Sequence, residues 1–152
     1  VQEALVYAPE RNDLDTASRG QGALLNNRRI RVSGRFELNQ CLIGTGFPVV
    51  DQSMLDRYLA ILKTMIQKTA GARREGAASL DLCTLAAGRT DAFFEFNLKP
   101  WDMAAGALIV QEAGGVVTDF EGEQNWLDSG NIVAANPKLL VQMLKILAQH
   151  PA

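Results

Sequence analysis

The stretch Lys99–Gly115, with the sequence KPWDMAAGALIVQEAGG, decides more about the fold than any other part of the chain. Pro100 cannot continue a preceding regular element, so a helix is predicted to begin here. Asp102 then falls beside the unpaired backbone N–H groups of the first helical turn, where it either caps the helix or holds a divalent cation. On spacing alone the cap is the commoner role. The two glycines at the end of the stretch permit the left-handed geometry that ends a helix.

Strands and helices alternate around this helix from about residue 40 onward. A buried strand is predicted over Cys41–Gly46, followed by an amphipathic helix that Ser53 or Asp51 caps and Gly71 ends. The core stripe of that helix is predicted to comprise Met54, Leu55, Tyr58, Leu59, Leu62, Met65 and Ile66. Such alternation favours a mainly parallel or mixed sheet with helices packed on it.

Further elements follow the same pattern. Strands are predicted near residues 72–75, 92–96, 116–118 and 132–135. A helix is predicted from about Ala78 to Ala87, closed by Gly88, and a last helix begins with Asn136 as cap and Pro137 at its first position. The core face of that last helix is predicted to comprise Leu139, Leu140, Met143, Leu144 and Leu147.

Residues 1–39 have a different character and are predicted to be rich in β-strands. Ala4–Tyr7 forms a short apolar strand, and Leu14–Ser18 can pair back onto it after a turn. Asn26-Asn27 is a plausible hairpin turn before a strand over Ile30–Val32. A few strands alone make a poor domain, so they are expected to join a larger sheet.

The composition is that of an ordinary soluble globular domain. The chain has 152 residues, of which 47% are hydrophobic and 21% charged. A net charge of −2 provides no basic footprint for nucleic acid, and the cluster Arg28, Arg29 and Arg31 is interpreted as a solvated strand face. No apolar run reaches the length of a membrane span.

The cysteines and the histidine carry little functional signal. Cys41 and Cys83 are isolated in apolar contexts and are predicted to be buried free thiols in a reducing cytoplasm, although the sequence alone leaves a disulfide open. His150 lies in the tail without other metal-ligand residues at a suitable spacing, so no role is assigned to it.

Several separated blocks resemble the inositol monophosphatase family, and within it the bacterial SuhB-type members. PWDMAAG at 100–106 with EAGG at 112–115 looks like the C-terminal signature of the family. Further blocks, in the same order, lie at residues 5–12, 17–23, 45–48, 73–76, 86–91 and 130–137. The resemblance covers essentially the whole chain and implies the α/β fold of the family, a layered α+β sandwich. Residues 1–39 would form its antiparallel part, and residues 40–152 a mixed sheet flanked by helices.

The resemblance also implies a chemistry. The family consists of magnesium-dependent, lithium-sensitive phosphatases, so the expected reaction is hydrolysis of a phosphate monoester on a small polyol, inositol monophosphate. Asp102 matches a family ligand for Mg²⁺, which prefers carboxylate and phosphate oxygens. The helix that begins beside it can also attract the negative charge of the substrate.

Other positions match residues that touch the substrate in the family. Glu95 corresponds to a residue that accepts hydrogen bonds from substrate hydroxyls. Gly76, Ala77 and Ala78 correspond to a strand-to-helix turn at the substrate, but Ala77 stands where the family usually has Ser or Thr, so that hydroxyl is lost. Arg73 matches a basic position near the substrate or the subunit interface, and the sequence does not decide between these. Separately, Trp101 is expected to pack behind the site and orient the metal ligand.

The family's chains are longer than this one. Their Glu-Glu pair and Asp-Pro-x-Asp-Gly-Thr block, which carry the first metal ligands and the water-activating residues, are absent from residues 1–152. The chain is therefore expected to be a C-terminal half that is inactive alone. Residues 1–39 would complete the antiparallel sheet of the other half, and residues 40–152 would form the C-terminal sandwich subdomain. The intact protein is expected to be a homodimer.

Two other functions stay open. Relatives that act on fructose bisphosphate, histidinol phosphate or nucleotide phosphates share much of the signature. SuhB-type members are also similar to proteins that join transcription antitermination complexes through protein contacts, which need not require catalysis.

Overall fold

The computed structural model describes residues 2–47 and 52–151, which form two β-sheets and two layers of helices. The N-terminal sheet is antiparallel and has the order β1-β2-β3-β4. Its strands are β1 (Glu3–Ala8), β2 (Asp13–Ser18), β3 (Ala23–Leu25) and β4 (Arg28–Ile30). Asn26 and Asn27 both have positive φ, 49° and 66°, as a two-residue hairpin turn requires. The last strand thus begins directly after the turn, two residues earlier than the sequence predicts.

The second sheet is mixed and has the order β6-β5-β7-β9-β8. Its strands are β5 (Leu42–Thr45), β6 (Gly71–Arg73), β7 (Ala92–Glu95), β8 (Val116–Thr118) and β9 (Ile132–Ala135). β5 runs parallel to β6 and β7, whereas β9 runs antiparallel to both β7 and β8. The carboxyl ends of β5, β6, β7 and β8 therefore lie at one edge of the sheet.

The helices are α1 (Gln52–Lys68), α2 (Ala78–Ala86), α3 (Pro100–Glu112), α4 (Trp126–Ser129) and α5 (Pro137–Ala148). Residues of α2 and α3 share one apolar core with the antiparallel sheet and with one face of the mixed sheet. Residues of α1 and α5 form a second core on the opposite face of the mixed sheet. The layered α+β sandwich that the resemblance implied is thus confirmed. No described helix has the length and apolar character that crossing a membrane demands.

α2 and α3 pack closely because α3 has a glycine at its middle, Gly106. A Cβ at Gly106 would lie 2.8 Å from Leu82 of α2, so the small residue leaves room for a neighbouring side chain. At the C-terminal end of α3, Glu112 accepts the backbone N–H of Gly22 through Oε1 at 2.9 Å. Backbone N–H groups of Gly20 and Gly22 lower the pKa of Glu112. The end of α3 is thereby tied to the loop between β2 and β3.

α5 begins as predicted, with Asn136 as its cap. The Asn136 Oδ1 accepts the Leu139 N–H at 2.9 Å. Its Nδ2 donates to the carbonyl oxygens of Ser33 and Arg35 at 2.9 and 2.8 Å. The cap therefore also fixes the segment that leads from the antiparallel sheet into the mixed sheet.

Some predicted details of the helices are wrong. The buried line of α1 consists of Tyr58, Ile61 and Met65, whereas Leu59 and Ile66 are 50% and 55% exposed. The predicted stripe was too wide for a helix that packs on one side only. α1 ends at Lys68, before Gly71, which instead begins β6.

Other predictions on these elements stand differently. The four-residue α4 was not predicted because it is too short to show a period. The proposed cap Asp51 lies outside the described residues. Cys41 and Cys83 are both buried and free, as expected.

Candidate active site

The two predicted acidic site residues lie at the carboxyl edge of the parallel strands. Glu95 is the last residue of β7, and Asp102 is the third residue of α3. Ligands of open α/β sheets commonly bind at this edge. Lys99, not Asp102, occupies the cap position, but Asp102 Oδ2 reaches back and accepts the Lys99 N–H at 2.9 Å. The half-buried Asp102 carboxylate thus lies at the open N-terminus of α3.

Glu95 lies in an environment that disfavours its charge. Burial and the neighbouring charge of Asp102 raise the pKa of Glu95 to about 7, and the nearby Arg74 opposes them. A Cβ at Gly46 would overlap the Glu95 carboxylate, so the glycine after β5 is what lets this side chain fold over the strand end. The structure therefore brings two carboxylates and one arginine together.

A third carboxylate lies deeper, in α2. Asp81 is only 3% exposed and accepts the backbone N–H of Glu75 through Oδ1 at 3.2 Å. Burial raises the pKa of Asp81 to about 7, and the charges of Glu95 and Glu75 add to the effect. A Cβ at Gly44 would lie 3.6 Å from Asp81 Oδ1, in ordinary contact.

The predicted substrate turn connects β6 to α2. Gly76 has φ of 96° and open space around it, Ala77 is the cap residue of α2 in extended geometry, and Ala78 is the first helical residue. The Ala77 side chain accepts no hydrogen bond, as expected for a residue without a hydroxyl group. The turn therefore presents backbone N–H groups rather than side chains.

The two arginines before this turn differ. Arg73 is exposed and donates from Nη1 to the carbonyl of Ala72 at 3.0 Å. Arg74 lies over the ring of Phe47 at 4.6 Å and is the arginine whose charge acts on Glu95 and Asp81. A substrate role of Arg73 stays a prediction.

Trp101 does not pack behind the site. It is 79% exposed, so the prediction that it orients Asp102 is wrong. Trp101 is the second residue of a helix whose buried residues begin with Met103, and its indole points to solvent.

Sequence reasoning missed Asp81, Arg74 and the role of the Gly44-Thr45-Gly46 segment. Residues two apart on a strand face the same side, so both glycines of that segment lie under carboxylates. Thr45 points to the other side, where its Oγ1 lies 3.1 Å from the Tyr58 hydroxyl. An Asp inside an apolar helix and two glycines at a strand end were the available signals.

The carboxylates suit a hard cation only in part. Carboxylate oxygens are the ligands that Mg²⁺ prefers, and Asp102 and Glu95 supply them at an accessible helix terminus. Within residues 2–47 and 52–151, however, no group of three or more His, Cys, Asp or Glu side chains is arranged to hold a metal ion. The described residues thus fit one side of a metal site.

Comparison with known proteins shows which family the chain resembles over its whole length. The sequence profile of the inositol monophosphatase family matches residues 1–152. The chain is 77% identical over 150 residues to the "Putative Nus factor SuhB" of Neisseria meningitidis serogroup B, covering 99% of the chain and 58% of the relative. It is 49% identical over 141 residues to the "Nus factor SuhB" of Escherichia coli K12, covering 93% and 53%. The chain thus spans little more than half the length of these relatives.

Solved structures show the same fold. The extragenic suppressor protein suhB from Bartonella henselae superposes with a TM-score of 0.94 at 43% identity, over 99% of this chain and 57% of that one. The inositol monophosphatase from Anabaena superposes with a TM-score of 0.90 at 34% identity, over 99% and 61%. Sequence profile, relatives and architecture agree that the chain belongs to the inositol monophosphatase family and is of the SuhB type.

Proposed function

We propose that the protein containing this chain hydrolyses phosphate monoesters of a small polyol, inositol monophosphate, with the help of Mg²⁺. The observation that carries the proposal is the placement of Glu95 and Asp102 together at the open N-terminus of α3. Family membership supports the reaction class, and the carboxylates support the cation. The chain alone is expected to be inactive, since its described residues supply too few ligands for a metal cluster.

The residues of this chain have distinct tasks in the proposed reaction. Asp102 would hold one Mg²⁺, and bound Mg²⁺ supplies polarisation of the phosphoryl group and a more acidic water. The ionised Glu95 accepts hydrogen bonds from polyol hydroxyls. The backbone N–H groups of Gly76–Ala78 and the positive end of the α3 dipole favour the anionic substrate.

A substrate panel tests the proposal. The full-length protein is assayed for phosphate release with Mg²⁺ on inositol monophosphate, fructose bisphosphate, histidinol phosphate and a nucleoside monophosphate. We expect inositol monophosphate to have the highest kcat/KM, and lithium to inhibit. Preference for another ester would overturn the substrate assignment, and no Mg²⁺-dependent release from any ester would overturn the enzyme itself.

The names of the relatives favour a second role. We infer that the intact protein, acting as a cytoplasmic homodimer, also contacts transcription antitermination proteins. Relatives up to 77% identical are named Nus factors, which supports this inference. A pull-down of antitermination proteins with the full-length Asp102→Asn variant separates the roles. Retained binding with lost hydrolysis is expected, and loss of both would tie partner binding to the metal site.

A further inference from the structure

Asp81 is a buried carboxyl group that the proposed reaction does not use. It lies in the first turns of α2 at 3% exposure, among apolar neighbours. Burying a polar group without a hydrogen-bond partner is unfavourable, so the Asp81 carboxyl group is expected to have one. That bond is made to the backbone N–H of Glu75, just outside the helix, at 3.2 Å.

Glu75 is held by more than this bond. Its Oε1 accepts the Thr84 hydroxyl at 3.5 Å, and its Oε2 lies 3.4 Å from Arg11 Nη1. The next residue, Gly76, has φ of 96°, and a Cβ added to it would meet no heavy atom within 4 Å. No neighbouring residue therefore contacts Gly76 where its Cβ would be. The contacts that hold this turn in place are made by the preceding residue, Glu75.

The same carboxyl group also faces β5. Asp81 Oδ1 lies 3.6 Å from the place where a Cβ on Gly44 would stand, so the carboxyl group lies against that strand, and Gly46, two residues on, lets Glu95 fold over the strand end. Both glycines lie on one face of β5, because side chains alternate along a strand. Asp81 thus lies between the turn and the strand that supports Glu95.

We propose that Asp81 is a positioning residue for the candidate active site. Its carboxyl oxygen fixes the Glu75–Gly76 backbone against β5, so that the N–H groups of Gly76–Ala78 and the Glu95 carboxylate face one substrate. The part of this inference that concerns substrate rests on the proposed function. The part that concerns the fixed turn does not.

Kinetics of the full-length protein test the first part. Asp81→Leu keeps the approximate shape but accepts no hydrogen bond, whereas Asp81→Asn keeps an oxygen acceptor. We expect Asp81→Leu to raise KM about tenfold with kcat changed less than about threefold, well within the cost of a misplaced binding group. Asp81→Asn is expected to stay within about twofold of wild type in KM.

Asp91→Ala is the matched control. Asp91 is equally buried, at 2% exposure, but lies at the opposite edge of the sheet, where it accepts the Leu42 N–H at 2.8 Å. This variant should lower Tm without raising KM. An unchanged KM in Asp81→Leu, or an equal rise in Asp91→Ala, would show that Asp81 contributes stability alone.

Hydrogen exchange tests the second part without requiring activity. The amide of Glu75 should exchange about tenfold faster in Asp81→Leu than in wild type, and unchanged in Asp81→Asn, because only the first loses the acceptor. If Asp81→Leu does not fold, Asp81→Ala replaces it in both experiments. If neither variant folds, Asp81→Asn is measured alone, and an altered exchange rate of the Glu75 amide in that variant would overturn the proposal. If the wild type hydrolyses no ester, the proposed function fails, and the exchange result still decides the role of Asp81.

Discussion

The N-termini of α3 and α5 begin alike in sequence and differ in structure. Each follows a strand of the mixed sheet and has proline as its first residue. α5 is closed by Asn136, which is 6% exposed and bonded to three backbone groups. At α3 the cap residue is Lys99, and Asp102 closes the first turn: its Oδ2 accepts the Lys99 N–H and its own N–H donates to the Lys99 carbonyl oxygen, each at 2.9 Å. One helix start is covered by a buried amide, and the other carries a half-buried carboxylate.

The difference shows where binding capacity lies. The Asn136 amide is buried and bonded to protein groups, whereas the half-buried Asp102 carboxylate stays accessible to a ligand beside the positive end of a helix dipole. Because β7 and β9 are antiparallel, the two termini also lie at opposite edges of the sheet. Of these two edges, as far as the structure describes them, the α3 edge is the one that gathers carboxylates of raised pKa, Glu95 and Asp81.

The largest effect is expected at the α3 terminus. Asp102→Asn in the full-length protein should lower Mg²⁺-dependent kcat by roughly 10²–10³-fold, the size typical of losing one preorganised electrostatic group. Phosphate release measures it, and calorimetric titration should show weaker Mg²⁺ binding. Glu37→Gln is the control, because it neutralises an exposed carboxylate at the opposite edge of the mixed sheet. Unchanged activity and metal affinity in Asp102→Asn would remove the functional distinction between the termini.

A smaller effect is expected at Glu95. Glu95→Gln keeps the shape but weakens acceptance of hydroxyl protons, so KM for inositol monophosphate should rise about tenfold with a smaller change in kcat. Initial rates over a range of substrate concentrations give both constants. A change in kcat alone would contradict a role in substrate binding.

At the α5 terminus the expected effect is on stability. Asn136→Ala removes a helix cap and two further hydrogen bonds and should lower the free energy of unfolding by about 1–2 kcal/mol. Urea unfolding measures it. Activity per folded molecule should be unchanged, and a specific loss of activity would mean that this terminus is functional after all.

The buried acid near the α3 terminus should produce a pH dependence that the amide cap lacks. Burial raises the pKa of Asp81 from its ordinary 3.8 to about 7, so the folded chain holds this proton more tightly than the unfolded chain. The stability of wild type relative to Asp81→Asn should therefore fall as pH rises from about 4 to about 7, by roughly 4 kcal/mol at about 1.4 kcal/mol per pKa unit. Unfolding at pH 5, 6, 7 and 8 in EDTA measures it. A constant difference would mean that Asp81 titrates normally.

The smallest effect is expected for the exposed indole beside the metal ligand. Trp101→Ala should change the free energy of unfolding by less than about 0.5 kcal/mol, because the side chain contacts mainly solvent. Thermal unfolding of the full-length protein checks this value. A larger loss would mean that the intact protein covers Trp101.

The strands and helices were predictable because their signals are local. Hydrophobic periods mark α1 and α5, and Asn26-Asn27 and Asn136-Pro137 specify a turn and a cap by chemistry that acts within a few residues. The resemblance added the family and the expectation that Asp102 and Glu95 belong to one site. The structure brings those two carboxylates together.

The contacts between distant segments were not predictable in the same way. Gly46 meets Glu95, and Gly44 meets Asp81, only because β5 and β7 pair and α2 packs across them. Trp101 lies next to Asp102 in sequence, but the helix turns its ring outward. The hydrophobic period of a helix shows which face a residue occupies but not how much of that face another layer covers. For this reason the exposure of Leu59 in α1 was also missed.

The bonded ends of α3 have a mechanical consequence. The helix has Asp102 near one end and Glu112 at the other, about 15 Å apart at 1.5 Å per residue. Since Glu112 accepts a hydrogen bond from the loop between β2 and β3, the helix connects the antiparallel sheet rigidly to the candidate active site. Any shift of that sheet along the helix axis would displace the Asp102 carboxylate by the same distance.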